Sequence, residues 1–149
     1  MLKFDSKYDV NESFPMLIAK CEKHMRESLN KRFREAGYNI TTEQWIILVH
    51  LGQQDGLTQQ GLANRYNKSK VSALNLIRKL EKAGYILRKA DPVDGRCNRV
   101  YLTSDGRKLL QNLVPLAKVN IEYMSEGITI EEIEFLKSIV KRITNNISR

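Results

Sequence analysis

The apolar repeat of this chain changes period at Gly84, and that change narrows the possible folds more than any other feature. Before it, Ala73, Leu76, Ile77 and Leu80 recur at three and four, the spacing of one helical face, in a helix predicted from about residue 69 to 83. Gly84 suits the left-handed position that follows a last helical turn. After it, "YILRKA" and "RVYLT" are rich in Ile, Val and Tyr, which favour strands. Between them, "DPVDGRCN" carries Asp91-Pro92 and Asp94-Gly95, which is turn chemistry. A helix thus runs directly into a two-stranded hairpin with a long, basic tip.

The rest of the chain reads as helices joined by short connections. Residues 14 to 36 place Phe14, Leu17, Ile18, Cys21, Met25, Leu29 and Phe33 at helical spacing, with Ser13 and Pro15 as start signals and Gly37 as a stop. Thr41 and Gln44 form a capping box for a helix carrying Trp45, Leu48, Val49 and Leu51, with Gly52 and Gly56 bracketing its exit. "LTQQGLANRYN" is a short helix capped by Thr58, in which Gly61 costs roughly 1 kcal/mol relative to Ala. After the hairpin, Thr103 caps a helix to about Glu126. Thr129 and Glu132 box the start of a last helix whose Ile133, Leu136, Ile139, Val140, Ile143 and Ile147 share a face. The fold class is mainly α with a small β-wing. By element order, residues 41 to 103 are a winged helix-turn-helix, flanked by N- and C-terminal helices.

The chain has 149 residues, room for one domain with appended helices. No stretch approaches the ~20 apolar residues of a membrane span, and "MLKFDSKYDV" lacks the apolar run of a signal peptide. Two cysteines make neither a disulfide framework nor a zinc site, so the expected compartment is the reducing cytoplasm. His24 and His50 have no metal-ligand spacing, and there is no glycine-rich phosphate loop. The chain is therefore read as no enzyme, with no cofactor and no metal.

The net charge is +8, and its placement matters more than its size. Residues 65 to 99 hold ten Lys or Arg against three acids, while the remainder holds fifteen against fourteen. A positive patch confined to one quarter of a chain suits a polyanion, here double-stranded DNA. A helix presents its N-terminal polar residues to base edges in the major groove. With Ala73, Leu76, Ile77 and Leu80 inward, Val71, Asn75, Arg78 and Lys82 point outward. Base contacts are expected from Lys70, Val71, Ser72, Leu74 and Asn75, and phosphate contacts from Lys68 and Arg78, with Ser69 opening the helix. An outward Leu74 suits a contact surface better than solvent. On the hairpin, Arg96 and Arg99 suit insertion into a narrow minor groove. Asp94 suits a structural role, accepting hydrogen bonds that fix the arginine.

Together these residues resemble the MarR family of bacterial transcription regulators. "DPVDGRCNRVYLTSDGR" is similar to the family's wing signature through Asp94, Arg96, Leu102, Thr103 and Gly106. Thr58, Gln59, Leu62 and Ala63 resemble its first turn helix. Leu80, Glu81, Gly84 and Arg88 resemble the end of its recognition helix and first wing strand, and "ITTEQWIIL" the helix before. The departures are Gly61, where the family more often has a helix former, and Lys70 to Asn75, which are individual to this chain. The resemblance implies a homodimer joined through residues 1–38 and 104–149, with residues 39–103 as the DNA-binding domain. It implies a repressor that binds a near-palindrome, and a small phenolic or lipophilic ligand held between dimer helices and DNA-binding lobe. Trp45, His24 and Tyr38 are pocket candidates by residue type only.

Two alternatives stay open. One is a redox-sensing regulator of the same fold using Cys21 or Cys97, although Cys21 is expected to be buried and inert on its apolar stripe and Cys97 to be a tolerated wing residue. The other is a winged-helix module for protein partners, against which the shared basic character of helix and wing discriminates.

Overall fold

A computed structural model describes residues 8–149. The first seven residues of the segment expected to help form a dimer, and most of the stretch read as lacking a leader, lie outside them. After a single 3-10 turn at Val10–Glu12, the order is α1 (Phe14–Glu35), α2 (Thr42–Gln53), β1 (Leu57–Thr58), α3 (Gln59–Tyr66) and α4 (Lys70–Lys82). It continues with β2 (Ile86–Ala90), β3 (Asn98–Leu102), α5 (Ser104–Met124) and α6 (Ile130–Ile147). The fold is mainly α with a small β-wing. Among the described residues no helix is long and apolar enough to cross a membrane.

Capping chemistry sets the helix starts where the sequence signals them. Thr41 Oγ1 accepts from the Gln44 amide at 3.2 Å, and Gln44 Oε1 accepts from the Thr41 amide at 3.0 Å. Thr129 and Glu132 repeat the arrangement at 3.2 and 2.8 Å. Each box satisfies two amides that have no partner within their helix. Helix α5 ends at Met124, two residues before the expected Glu126. It passes through Pro115, which has no N–H to give the Gln111 carbonyl.

Two expectations change. The sheet has three strands in the order β1-β3-β2, not two. Leu57 pairs with Val100 and Thr58 with Arg99, while β2 and β3 form the expected hairpin from Ile86↔Leu102 to Ala90↔Asn98. Two residues are too few to display a strand period, so β1 was hidden in the approach to α3. Gly52 does not mark the exit of α2; it lies inside the helix. A Cβ there would run into the Leu110 side chain of α5, so the glycine lets the two helices approach.

One core joins the elements. Phe33 of α1, Ile47, Leu48 and Leu51 of α2, Leu62 of α3, Ile77 and Leu80 of α4, Val100 of β3 and Leu113 of α5 are all fully buried in it. Phe33 meets the Trp45 ring edge-on, 5.8 Å between centroids. Leu76 is only partly buried, at the margin of this cluster. By contrast, α6 buries none of its residues: Phe135 is 68% exposed and Leu136 56%. Phe14, Leu17, Ile18 and Met25 of α1 are exposed as well. Cys21 shares that uncovered stretch and is exposed, which corrects the expectation that it is buried. The apolar stripe of α1 enters the core only at its C-terminal end.

Gly106 is the tightest joint. A Cβ there would overlap the Tyr85 carbonyl oxygen and lie 2.9 Å from its carbon. Both atoms are backbone, so the start of α5 would have to move off the α4–β2 turn. Gly106→Ala is expected to destabilise the fold by about 1–3 kcal/mol, the usual range for overpacking. Urea denaturation at fixed protein concentration measures it, and an unchanged midpoint would show that the contact is not limiting.

Candidate nucleic-acid interface

Helices α3 and α4 are held as a pair by their ends. Thr58 Oγ1 caps α3 by accepting from the Gly61 amide at 3.0 Å. The turn out of α3 is made by Asn67 at φ 55°, in the left-handed region that Asn tolerates better than most residues. Ser69 then caps α4, its Oγ accepting from the Ser72 amide at 3.1 Å, and the two hydroxyls lie 3.0 Å apart. Ser69 is therefore first a structural cap. Ala73, Ile77 and Leu80 hold α4 against the core.

That packing leaves the expected outer face in solvent. Lys70, Ser72, Asn75 and Arg78 are exposed, and Val71 is 69% exposed. Leu74 departs from expectation: it is half-buried, so it is not the bare outward leucine the sequence suggested. Among the described residues Lys68, Lys70, Arg78, Lys79 and Lys82 form no ion pair. Three cations of the scaffold are paired: Arg88 with Glu81 at 2.8 Å, Arg99 with Asp91 at 2.6 Å, Arg107 with Asp55. Five cations without an ion pair thus lie together on α4 and its approach.

The wing is organised by Asp91, which is 7% exposed. Its Oδ1 accepts from the Val93 amide at 2.7 Å and the Asp94 amide at 3.1 Å. Its Oδ2 accepts from Arg99 Nε at 2.6 Å. The Val93 amide first, then the Asp94 amide and Arg99, hold this carboxyl below its ordinary range despite its desolvation. Arg99 also donates from Nη1 to the Gly56 carbonyl at 2.8 Å. Its guanidinium thus fastens the base of the wing to the turn before β1, and the expectation that it shares the tip with Arg96 is corrected. Asp94 does what its position suggested: its Oδ1 accepts from both the amide and Nε of Arg96 at 3.1 Å. The Arg96 side chain remains 92% exposed. Its hydrogen bond to the carboxylate is also the main reason the Asp94 carboxyl is held low. Cys97 is free and exposed beside them.

The tip of the wing approaches the starts of α3 and α4. A cleft of about 130 Å³ between them is lined by Gln59 and Gln60 of α3, Lys70 of α4, and Arg96, Cys97 and Asn98. The sequence marked Gln59 only as part of the first turn helix and Gln60 not at all, because only the fold brings them beside the wing.

A second region lies where α1, α2 and α5 meet. An apolar groove of about 270 Å³ is lined by Met25, Leu29, Trp45, Ala117, Ile121 and Met124, with Arg26 and Asn120 among its polar groups. Asn120 is 2% exposed and accepts from Ser28 Oγ at 2.8 Å and Arg32 Nε at 3.2 Å. Of the pocket candidates, Trp45 lines this groove. His24 lines neighbouring clefts, and Tyr38 packs against the core. No sequence signal marked Asn120, a lone polar residue on an otherwise apolar face.

The comparisons with known proteins agree with this geometry. A sequence model described as "MarR family" matches residues 40–98. The HTH-type transcriptional regulator FarR of Neisseria gonorrhoeae is 30% identical over 120 residues, which is 79% of this chain and 82% of FarR. The chain belongs to the MarR family. The fold agrees across nearly its whole length. Bordetella bronchiseptica BpsR, whose structure concerns regulation of its DNA binding by 6-hydroxynicotinic acid, superposes with a TM-score of 0.85 at 19% identity. That match covers 92% of this chain and 96% of BpsR. The Staphylococcus aureus MepR–DNA complex gives 0.81 at 24%, over 93% and 99%. These likenesses establish the MarR winged-helix fold for this chain.

The wing's dependence on Asp91 has a pH signature. A carboxyl held low in the folded state stabilises above its unfolded pKa, and that contribution is lost as pH falls through the folded value. Carbon-13 titration is expected to place the Asp91 midpoint below the ~3.9 of a free aspartate. The Val93 and Asp94 amide resonances should move with it. A midpoint at or above ~3.9 would remove Asp91 as the wing's organiser.

Proposed function

We propose that this chain acts as a homodimeric, ligand-responsive repressor that reads a near-palindromic operator with α4 and the wing. The observation that carries the proposal is the segregation of charge. Residues 65–99 hold ten Lys or Arg against three acids, the lysines and arginine of α4 form no ion pair among the described residues, and Arg96, although bonded to Asp94, keeps a side chain 92% exposed. An unneutralised cationic face releases the counterions of DNA phosphates when it binds. Asn75, Ser72 and Val71 read base edges, Lys68 and Arg78 bind phosphates, and Arg96 enters the minor groove.

Residues 39–103 form the reading domain, and residues 1–38 and 104–149 join the two protomers. The exposed apolar residues of α1 and α6 support this division, since such a face is stable in water when a second copy covers it. Two-fold symmetry then sets two α4 helices ~34 Å apart, one turn of DNA. A small aromatic or lipophilic acid in the Trp45 groove biases that spacing, as expected for a site between α1, α2 and α5. Control by a ligand is favoured over thiol oxidation by the likeness to BpsR. Repression follows from a dimer occupying promoter DNA.

Selection of bound duplexes from a random pool, followed by salt titration, tests this reading. Enrichment of a near-palindrome and a steep negative slope of log affinity against log salt are expected. Arg96→Ala should weaken binding by about tenfold or more on every enriched sequence. No enriched sequence, or affinity that does not respond to salt, would overturn the regulator; an Arg96→Ala protein with full affinity would remove the wing.

A further inference from the structure

The cleft between α3, α4 and the wing tip lies where two modes of DNA reading must meet. If α4 occupies a major groove and Arg96 the adjacent minor groove, one sugar-phosphate strand separates those grooves. That strand has to pass between the start of α4 and the wing. The cleft lined by Gln59, Gln60, Lys70, Arg96 and Asn98 lies there. We propose that this cleft is a built phosphate seat, in which Lys70 and Gln59 bind the DNA strand that divides the two grooves. The inference rests on the DNA-binding reading above and departs from the sequence expectation for one residue: Lys70 holds the backbone and does not read a base.

The chemistry of the lining supports this occupant. Lys70 is exposed and forms no ion pair among the described residues, so its ammonium is available. Arg96 adds a guanidinium whose charge is shared with Asp94 at 3.1 Å but whose side chain is 92% exposed. No carboxylate lines the cleft. Gln59 is oriented by the scaffold. Its Oε1 accepts from Arg88 Nη1 at 3.2 Å, and Arg88 is itself clamped to Glu81 through Nε at 3.0 Å and Nη2 at 2.8 Å. With its acceptor engaged, Gln59 is left with two N–H donors to offer. That suits a phosphate oxygen, which only accepts. Gln60 is disposed the other way: its Nε2 donates to Asn64 at 2.9 Å, so it is not assigned to the phosphate. Glu81 and Arg88 are then positioning residues, since they fix which end of Gln59 faces outward. The chain Glu81–Arg88–Gln59 runs from the recognition helix through the wing strand to α3, so the seat exists only when all three are docked.

The two ligands predict different signatures on the same selected duplex. Removing Lys70 deletes one charge per protomer, so Lys70→Ala should lower the salt slope by about 0.9 per protomer. Base preference should stay the same. Gln59→Ala removes a neutral donor, so affinity should fall about tenfold with no change in slope. Gln59→Glu offers the backbone a carboxylate of similar size and should bind more weakly than Gln59→Ala. An Arg88→Ala protein should share the Gln59→Ala loss, and the double variant should lose no more than either alone. A methylphosphonate scan of the duplex should find one phosphate per half-site whose neutralisation weakens wild type more than it weakens Lys70→Ala. Cys97 supplies an independent reading: in Cys21→Ser protein, bound duplex should slow its alkylation by N-ethylmaleimide. A Lys70→Ala protein with an unchanged slope and an altered preference at one base pair would overturn the seat, as would full Cys97 reactivity in the complex. Wild-type protein that retained no duplex at all would instead overturn the DNA-binding reading beneath it.

Discussion

The burial of Phe33, Leu109 and Leu113 against the winged lobe is the contact on which the rest of the molecule depends. Phe33 closes α1, and the two leucines open α5, so each long helix has one end in the core. Their far ends, with all of α6, present apolar side chains to solvent. A rigid core therefore connects two surfaces with different needs, one apolar and one cationic. Any displacement of α1 against α5 reaches α4 through packed side chains, because interiors at crystal-like density transmit strain. The groove under Trp45 sits at this junction, between the residues that pack the lobe and those left uncovered.

Electrostatics divide the same way. Three cations that tie elements together are neutralised: Arg88 by Glu81, Arg99 by Asp91, Arg107 by Asp55. Asp55 also accepts from the Leu102 amide at 2.9 Å, so the turn before β1, strand β3 and α5 share one carboxylate. These pairs are partly buried, so part of their Coulomb attraction is offset by desolvation. Their service here is geometric, because they fix the wing relative to the helices. The cations of α4 have no such partner and are left to face outward.

Much of this was legible in the sequence because the governing signals are local. Capping boxes at Thr41 and Thr129, the helical stripe of α4 and the turn residues of the wing each announce themselves within a few residues. Asp94 and Arg96 could be paired because only Gly95 separates them in a turn. What was missed is non-local. Strand β1 is two residues long and exists only because β3 lies beside it. Gly52 resembled a stop but makes room for Leu110, 58 positions on. Arg99 looked like a tip residue until Asp91 and the Gly56 carbonyl met it. Cys21 sits on a stripe whose period says apolar, but the period cannot say that the face lacks a neighbour within the chain.

The central claim is that one core fixes the distance between two reading helices once the apolar faces of two copies meet. Electron-electron dipolar spectroscopy on a spin label at Lys79→Cys, in protein lacking Cys21 and Cys97, measures that distance across the dimer. With a selected duplex bound, a single narrow distribution close to ~34 Å is expected. The absence of any intermolecular coupling, or a broad distribution that the duplex leaves unchanged, would contradict it.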